Sequence, residues 1–120
     1  MKVLITGDRN WTDREAIRSW LCKLQDWGYT EVIEGGARGA DTIAEQEAIK
    51  LRMSYQRFPA QCSRYGRAAG VIRNQTMLDV TSPNLVLYFH HDLANSKGTR
   101  DMVNRAIKAG VQVINGSEPC

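Results

Sequence analysis

The chain has 120 residues, 42% of them hydrophobic and 24% charged, which suits one globular domain with a single core. Its 16 basic and 13 acidic residues leave a formal net charge of +3 and are mixed along the chain. No basic arm or acidic tail therefore marks a polymeric partner, and nucleic acid is neither required nor excluded. Three cysteines, Cys22, Cys62 and Cys120, are far apart and lack any CxxC or Cys/His ligand spacing. That pattern carries no disulfide framework and no metal site, and it fits free thiols in a reducing cytoplasm. The opening "MKVLIT" is too short an apolar run for a signal peptide, and no stretch approaches membrane-spanning length, so a soluble protein with no membrane partner is expected.

The first β-rich run is "KVLIT" (2–6), nearly continuous in apolar residues, as a central parallel strand covered on both faces requires. Residues 12–26 follow with "TDRE", a Thr12-x-x-Glu15 capping box, and then Ile17, Leu21 and Leu24 at helical spacing. "TEVIE" (30–34) predicts the second strand, and residues 41–52 a helix with Ala44, Ala48 and Leu51 on one face and Asp41 or Thr42 as its N-cap. "SYQRF" (54–58) predicts the third strand, and residues 66–79 a helix that includes Ala69, Ile72 and Leu78. "NLVLYFH" (84–90) repeats the signature of a buried central strand. The last helix, over 99–109, turns Met102, Val103, Ala106 and Ile107 inward and stops at Gly110, before the strand "VQVI" (111–114). Strands alternating with helices read as βαβ units. The predicted fold class is α/β: a Rossmann-like, doubly wound, mainly parallel five-stranded sheet with helices on both faces, forming a single domain over 1–120.

In such a sheet ligands bind beyond the carboxyl ends of the strands. Three segments there contain glycine and lead into a helix start: "TGDRNWTD" (6–13), "EGGARGAD" (34–41) and "HHDLANSKGTRD" (90–101). Free N–H groups and the positive end of the helix dipole favour an anion at such places. Gly35, Gly36 and Gly39 would let the backbone approach a phosphate with no Cβ in the way, and Arg38 would add a charge-assisted contact. A glycine between strand and helix is also what any tight turn needs, and neither GxGxxG nor a Walker A loop is present. Convergence of three such loops on one rim is what points to a small phosphorylated ligand. In "AAGVIRNQTM" (68–77), Arg73 would clamp a phosphate and Asn74 would bond a base or ribose edge; the alternative is the polar face of a surface helix. Trp11 is placed to stack on a base, whereas Trp20 and Trp27 read as packing residues. His90 and His91, adjacent on a strand, point to opposite sides and cannot jointly hold one metal; they stay unassigned.

"GDRNWTD", "EGGARGADTIAEQEA", "AAGVIRNQTM" and "KGTRDMVNRAI" together resemble the YspA-like, cpYpsA-related branch of the SLOG superfamily. That superfamily also includes the LOG phosphoribohydrolases and the DprA/Smf DNA-processing proteins. The resemblance spans Met1 to about Val113 and implies a Rossmann-like sheet that binds nucleotides or nucleotide-derived ligands. By the same resemblance the site falls on Gly7, Asp8 and Arg9; on Gly35, Gly36, Arg38, Gly39 and Asp41; on Arg73 and Asn74; and on Gly98, Thr99, Arg100 and Asp101. Two departures stand out. Lys97 precedes Gly98 where relatives often have a second glycine, and Met102 occupies the position of the catalytic glutamate of the LOG enzymes. Asp101 lies about 100° away around the helix and cannot simply replace it.

The leading expectation is a binding protein that senses, sequesters or processes a small phosphorylated nucleoside derivative, with no cofactor. An alternative is a hydrolase of the N-glycosidic bond in a nucleoside monophosphate or an ADP-ribose-like substrate, with Asp41 and Asp101 as catalytic candidates. A third, by the DprA resemblance, is single-stranded DNA binding, which the mixed charge pattern does not favour. The resemblance also suggests a homodimer or higher assembly, for which Trp20, Trp27 and Tyr29 would supply an apolar patch unless they complete the core.

Overall fold

A computed structural model of the chain describes residues 1–118; the thiol expected at Cys120 lies outside them. Five strands form one parallel sheet: β1 (Lys2–Gly7), β2 (Glu31–Glu34), β3 (Ser54–Arg57), β4 (Leu85–Phe89) and β5 (Gln112–Asn115), in the order β3-β2-β1-β4-β5. The chain winds outward from β1 to β3, returns to the other side of β1 as β4 and ends at β5. The order therefore reverses between β1 and β4, and the crevice that accepts ligands in such sheets opens beyond the ends of these two strands.

The helices are α1 (Arg14–Asp26), α2 (Ala40–Lys50), a short α3 (Cys62–Tyr65), α4 (Ala69–Thr81) and α5 (Gly98–Lys108). Side chains alternate across the central strands, and each face has its own cover. Val3, Ile5, Val32, Leu85, Leu87 and Phe89 pack with Ile17, Leu21 and Leu24 of α1 and with Ala40, Ile43, Ala44 and Ala48 of α2. Leu4, Ile33 and Val86 pack on the opposite face with Met77 and Leu78 of α4 and with Met102 and Ala106 of α5. Two-sided burial is the reason β1 and β4 are almost wholly apolar. Among the described residues no helix is long and apolar enough to cross a membrane.

Several boundaries differ from expectation for local reasons. α1 is capped by Asp13, whose side chain accepts from the Ala16 amide at 3.2 Å, so the cap lies one residue beyond Thr12. α2 starts at Ala40 behind Gly39, which provides no side-chain cap, and Asp41 and Thr42 lie inside the first turn. α4 starts only at Ala69, after α3 and a 3-10 turn over Gly66–Ala68 that lack the periodicity needed to foresee them. Ile107 faces solvent: the inward stripe of α5 is Thr99, Met102, Val103 and Ala106, and the next residue has rotated about 100° away. Ile72 of α4 is likewise exposed. Trp20 and Tyr29 pack against the core, whereas Trp27, expected to pack, is exposed.

Candidate functional site

The first glycine loop is bound to the second and to the end of β4 before any ligand is considered. The Asp8 amide donates to Phe89 O at 2.9 Å, and the Ala40 amide donates to Asp8 O at 3.1 Å. A Cβ on Gly7 would stand 2.5 Å from Phe89 O and 2.7 Å from Ala40 Cβ. Gly39, at φ +71°, lies so close against the backbone of Asp8 and Arg9 that any Cβ there overlaps it. These two glycines therefore serve the approach of one loop to the next.

The second loop turns three of its amides inward, onto the chain's own carboxylates. Asp41 Oδ2 accepts from the Gly35 and Ala37 amides at 3.1 and 3.3 Å, and Glu34 Oε1 accepts from the Gly36 amide at 2.5 Å. The phosphate cradle expected at Gly35 and Gly36 is thus filled by the chain's own carboxylates, because the loop curls back over the first turn of α2. Asp41 is 5% exposed. Burial pushes its pKa up to about 6, against the pull of the Ala37 and Gly35 amides and the Arg73 charge. Glu34 is wholly buried, its Oε2 has no hydrogen bond, and the nearest cation is Arg57 Nε at 3.5 Å. Burial pushes Glu34 up to about 7, opposed by the Gly36 amide. Glu34 was not foreseen as the support of this loop; its one sequence signal is a charge closing an apolar run just before paired glycines.

The loops nonetheless meet around a shared hollow of about 210 Å³, between the ends of β1 and β4 and the start of α5. Gly7, Asp8, Arg9, Asp41, Arg73, Asn74, Gly98 and Thr99 all line it, joined by Lys97, Ser96 and His90. The α5 end is the open one. The Thr99 amide donates to Ser96 Oγ at 3.1 Å, whereas the Gly98 and Arg100 amides make no hydrogen bond among the described residues. His90 Nδ1 accepts from the Asp92 amide at 2.9 Å, so the neutral ring carries its proton on Nε2, 4.0 Å from Asp8 Oδ2. A wider cleft of about 680 Å³ continues from this hollow and shares Arg9, Ala37, Arg73, Lys97 and Gly98 with it. Gly35, Gly36 and Arg38 lie on the wider part.

Residues 1–65 match the family model described as YAcAr: YspA, cpYpsA-related SLOG family. The chain is also 38% identical, over 126 aligned residues and 98% of both sequences, to "Gene 61 protein" of Mycobacterium phage D29. The chain belongs to the YspA, cpYpsA-related SLOG family. The family match covers β1 to α3, and so the first two glycine loops of this SLOG domain; the α5 end of the hollow lies within the longer phage alignment.

In this SLOG domain some of the expected site residues are occupied elsewhere. Trp11 is 6% exposed, donates its Nε1 proton to Asp13 O at 2.8 Å and packs its ring 5.6 Å from that of Phe89, so no base stacks on it. His91 packs against Trp11 with ring centroids 4.8 Å apart and does not line the hollow that His90 lines. Arg100 is exposed and donates to Ala94 O at 2.8 Å, off the cavity. Asp101 accepts from Asn74 Nδ2 at 3.0 Å and from Arg105 Nε at 2.8 Å, which makes it a tie between α4 and α5, not a cavity carboxylate. Asn74 also donates to Gly98 O and accepts from Arg73 Nε, so its amide has no free edge for a base. Arg73 donates to Gly35 O at 2.5 Å and has Phe58 O at 3.5 Å, holding α4 against the end of β2 while lining both parts of the cleft.

Proposed function

We propose that this SLOG domain binds a small phosphorylated, nucleoside-derived ligand, with a phosphate in the hollow at the start of α5. The observation that supports this reading is the convergence of Arg9, Arg73 and Lys97 with the unbonded amide of Gly98 on one polar hollow. Arg9 and Lys97 have no ion-pair or hydrogen-bond partner on their side chains among the described residues. At about 210 Å³ the hollow is smaller than the roughly 300–1,000 Å³ of a whole small-molecule site. It therefore suits a phosphate rather than an entire nucleotide. Binding without chemistry is the reading preferred over glycosidic hydrolysis. Met102 at the position of the LOG glutamate is fully buried in the core, and Asp41 is held by two amides.

Thermal-shift and calorimetric titrations with nucleoside mono-, di- and cyclic phosphates test this directly, since a ligand selective for the folded state raises its apparent stability. Lys97→Ala is expected to weaken phosphate binding about 3- to 10-fold with the melting temperature of the free protein unchanged. Release of free base from the same compounds would transfer the assignment to the hydrolase, with Asp41 as its carboxylate. Affinity that grows with oligonucleotide length and falls steeply with salt would transfer it to single-stranded DNA.

A further inference from the structure

The wider part of the cleft has a charge pattern of its own. It runs between the loop of Gly35 to Arg38 and the segment of residues 59–71. Five cations line it, Arg9, Arg38, Arg67, Arg73 and Lys97, and no aspartate or glutamate does. In a chain with 13 acidic and 16 basic residues that separation is local, not compositional. Arg38 and Arg67 line only this part, away from the hollow, and neither makes a side-chain ion pair or hydrogen bond among the described residues. Cations that share a wall repel one another, so an arrangement with no carboxylate between them favours an anion there.

We propose that the ligand carries two separated anionic groups, one in the hollow at α5 and a second held by Arg38 and Arg67, so that the ligand class is a nucleoside bearing phosphates on two different ribose positions. This rests on the phosphate reading of the hollow. The dimensions fit: at about 680 Å³ the wider part lies within the range of small-molecule sites, roughly 300–1,000 Å³, and it opens directly into the hollow through Arg9, Arg73 and Lys97. Pro59, Ala60, Ala69 and Gly70 also line this part, and their small side chains leave room for a sugar or base. No Trp, Tyr or Phe lines this part, so it lacks the stacking platform with which a polynucleotide strand is gripped.

The test compares, at one ionic strength, the affinities of adenosine and guanosine 5′-monophosphates with those of the 3′,5′-bisphosphates of the same nucleosides. A two-phosphate compound is expected to bind at least about ten-fold more tightly than the monophosphate of the same base. The Arg38→Ala/Arg67→Ala double variant is expected to lose that preference, and a melting curve of the free variant reports its folding. Because both side chains are exposed, each single variant also serves, and each is expected to lose part of the preference. If mono- and two-phosphate compounds bind wild-type protein equally, or if the double variant keeps the preference, the second anion site is refuted and the phosphate reading stands. If neither class binds, both fall together.

Discussion

Glu34 and Asp41 are the residues whose chemistry departs furthest from that of free side chains. Burial raises Glu34 from 4.5 to about 7 and Asp41 from 3.8 to about 6. In the unfolded chain both titrate near their ordinary values, so across the interval from about pH 4 to about pH 7 the folded protein holds more protons than the unfolded one. The stability they contribute is present at the acidic end of that window and is lost as pH rises through it. Urea denaturation is expected to show a higher midpoint at about pH 5.5 than at about pH 8. Glu34→Gln keeps the acceptor for the Gly36 amide while removing the buried charge, so it should flatten that slope and gain about 1–3 kcal/mol at about pH 8. A midpoint that climbs toward alkaline pH in the wild-type protein would instead mean that Arg57 and the loop amides compensate both charges fully.

Two helix starts that look alike in sequence differ in the fold. α2 begins behind Gly39, pressed against Asp8 and Arg9, and the Gly35, Gly36 and Ala37 amides of the loop before it are spent on Asp41 and Glu34. α5 begins at Gly98, where an added Cβ would meet nothing within 4 Å. The two glycines are therefore expected to respond in opposite ways to the same change. Gly39→Ala combines a left-handed φ with backbone overlap and should cost about 2–4 kcal/mol. Gly98→Ala should cost less than about 0.5 kcal/mol, since it adds a methyl to open space on a helix. Thermal unfolding of the two variants checks this, and equal losses would show that the contact between Gly39 and the first loop relaxes freely.

Across the whole molecule, stability is divided unevenly between the sheet and the wall of the cleft. β1 and β4 are sealed by helices on both faces, whereas α3 and the turn that follows it contain no buried residue. Hydrogen exchange is expected to be at least about 100-fold faster in residues 59–68 than in β1 and β4, and to slow there when a two-phosphate ligand bridges the cleft. Exchange that stays unchanged in this segment on binding would mean that the ligand does not touch it. The sequence alone determined the five strands and the four longer helices between them, and it put the glycine loops at the strand ends, because apolar periodicity and strand-end glycines act over a few neighbouring residues. Even there, Thr12 and Ile107 were misplaced by a single residue, since caps and helix faces turn through about 100° per step. Only the tertiary structure decided which groups on that rim are free. Trp11 was drawn into the core, Asn74 and Asp101 became ties between helices, and the amides of Gly35 and Gly36 were taken by Asp41 and Glu34, while the start of α5 stayed open. Each hydrogen-bonding group is satisfied by whichever partner the folded chain brings nearest, and that competition between distant segments leaves no trace in local pattern.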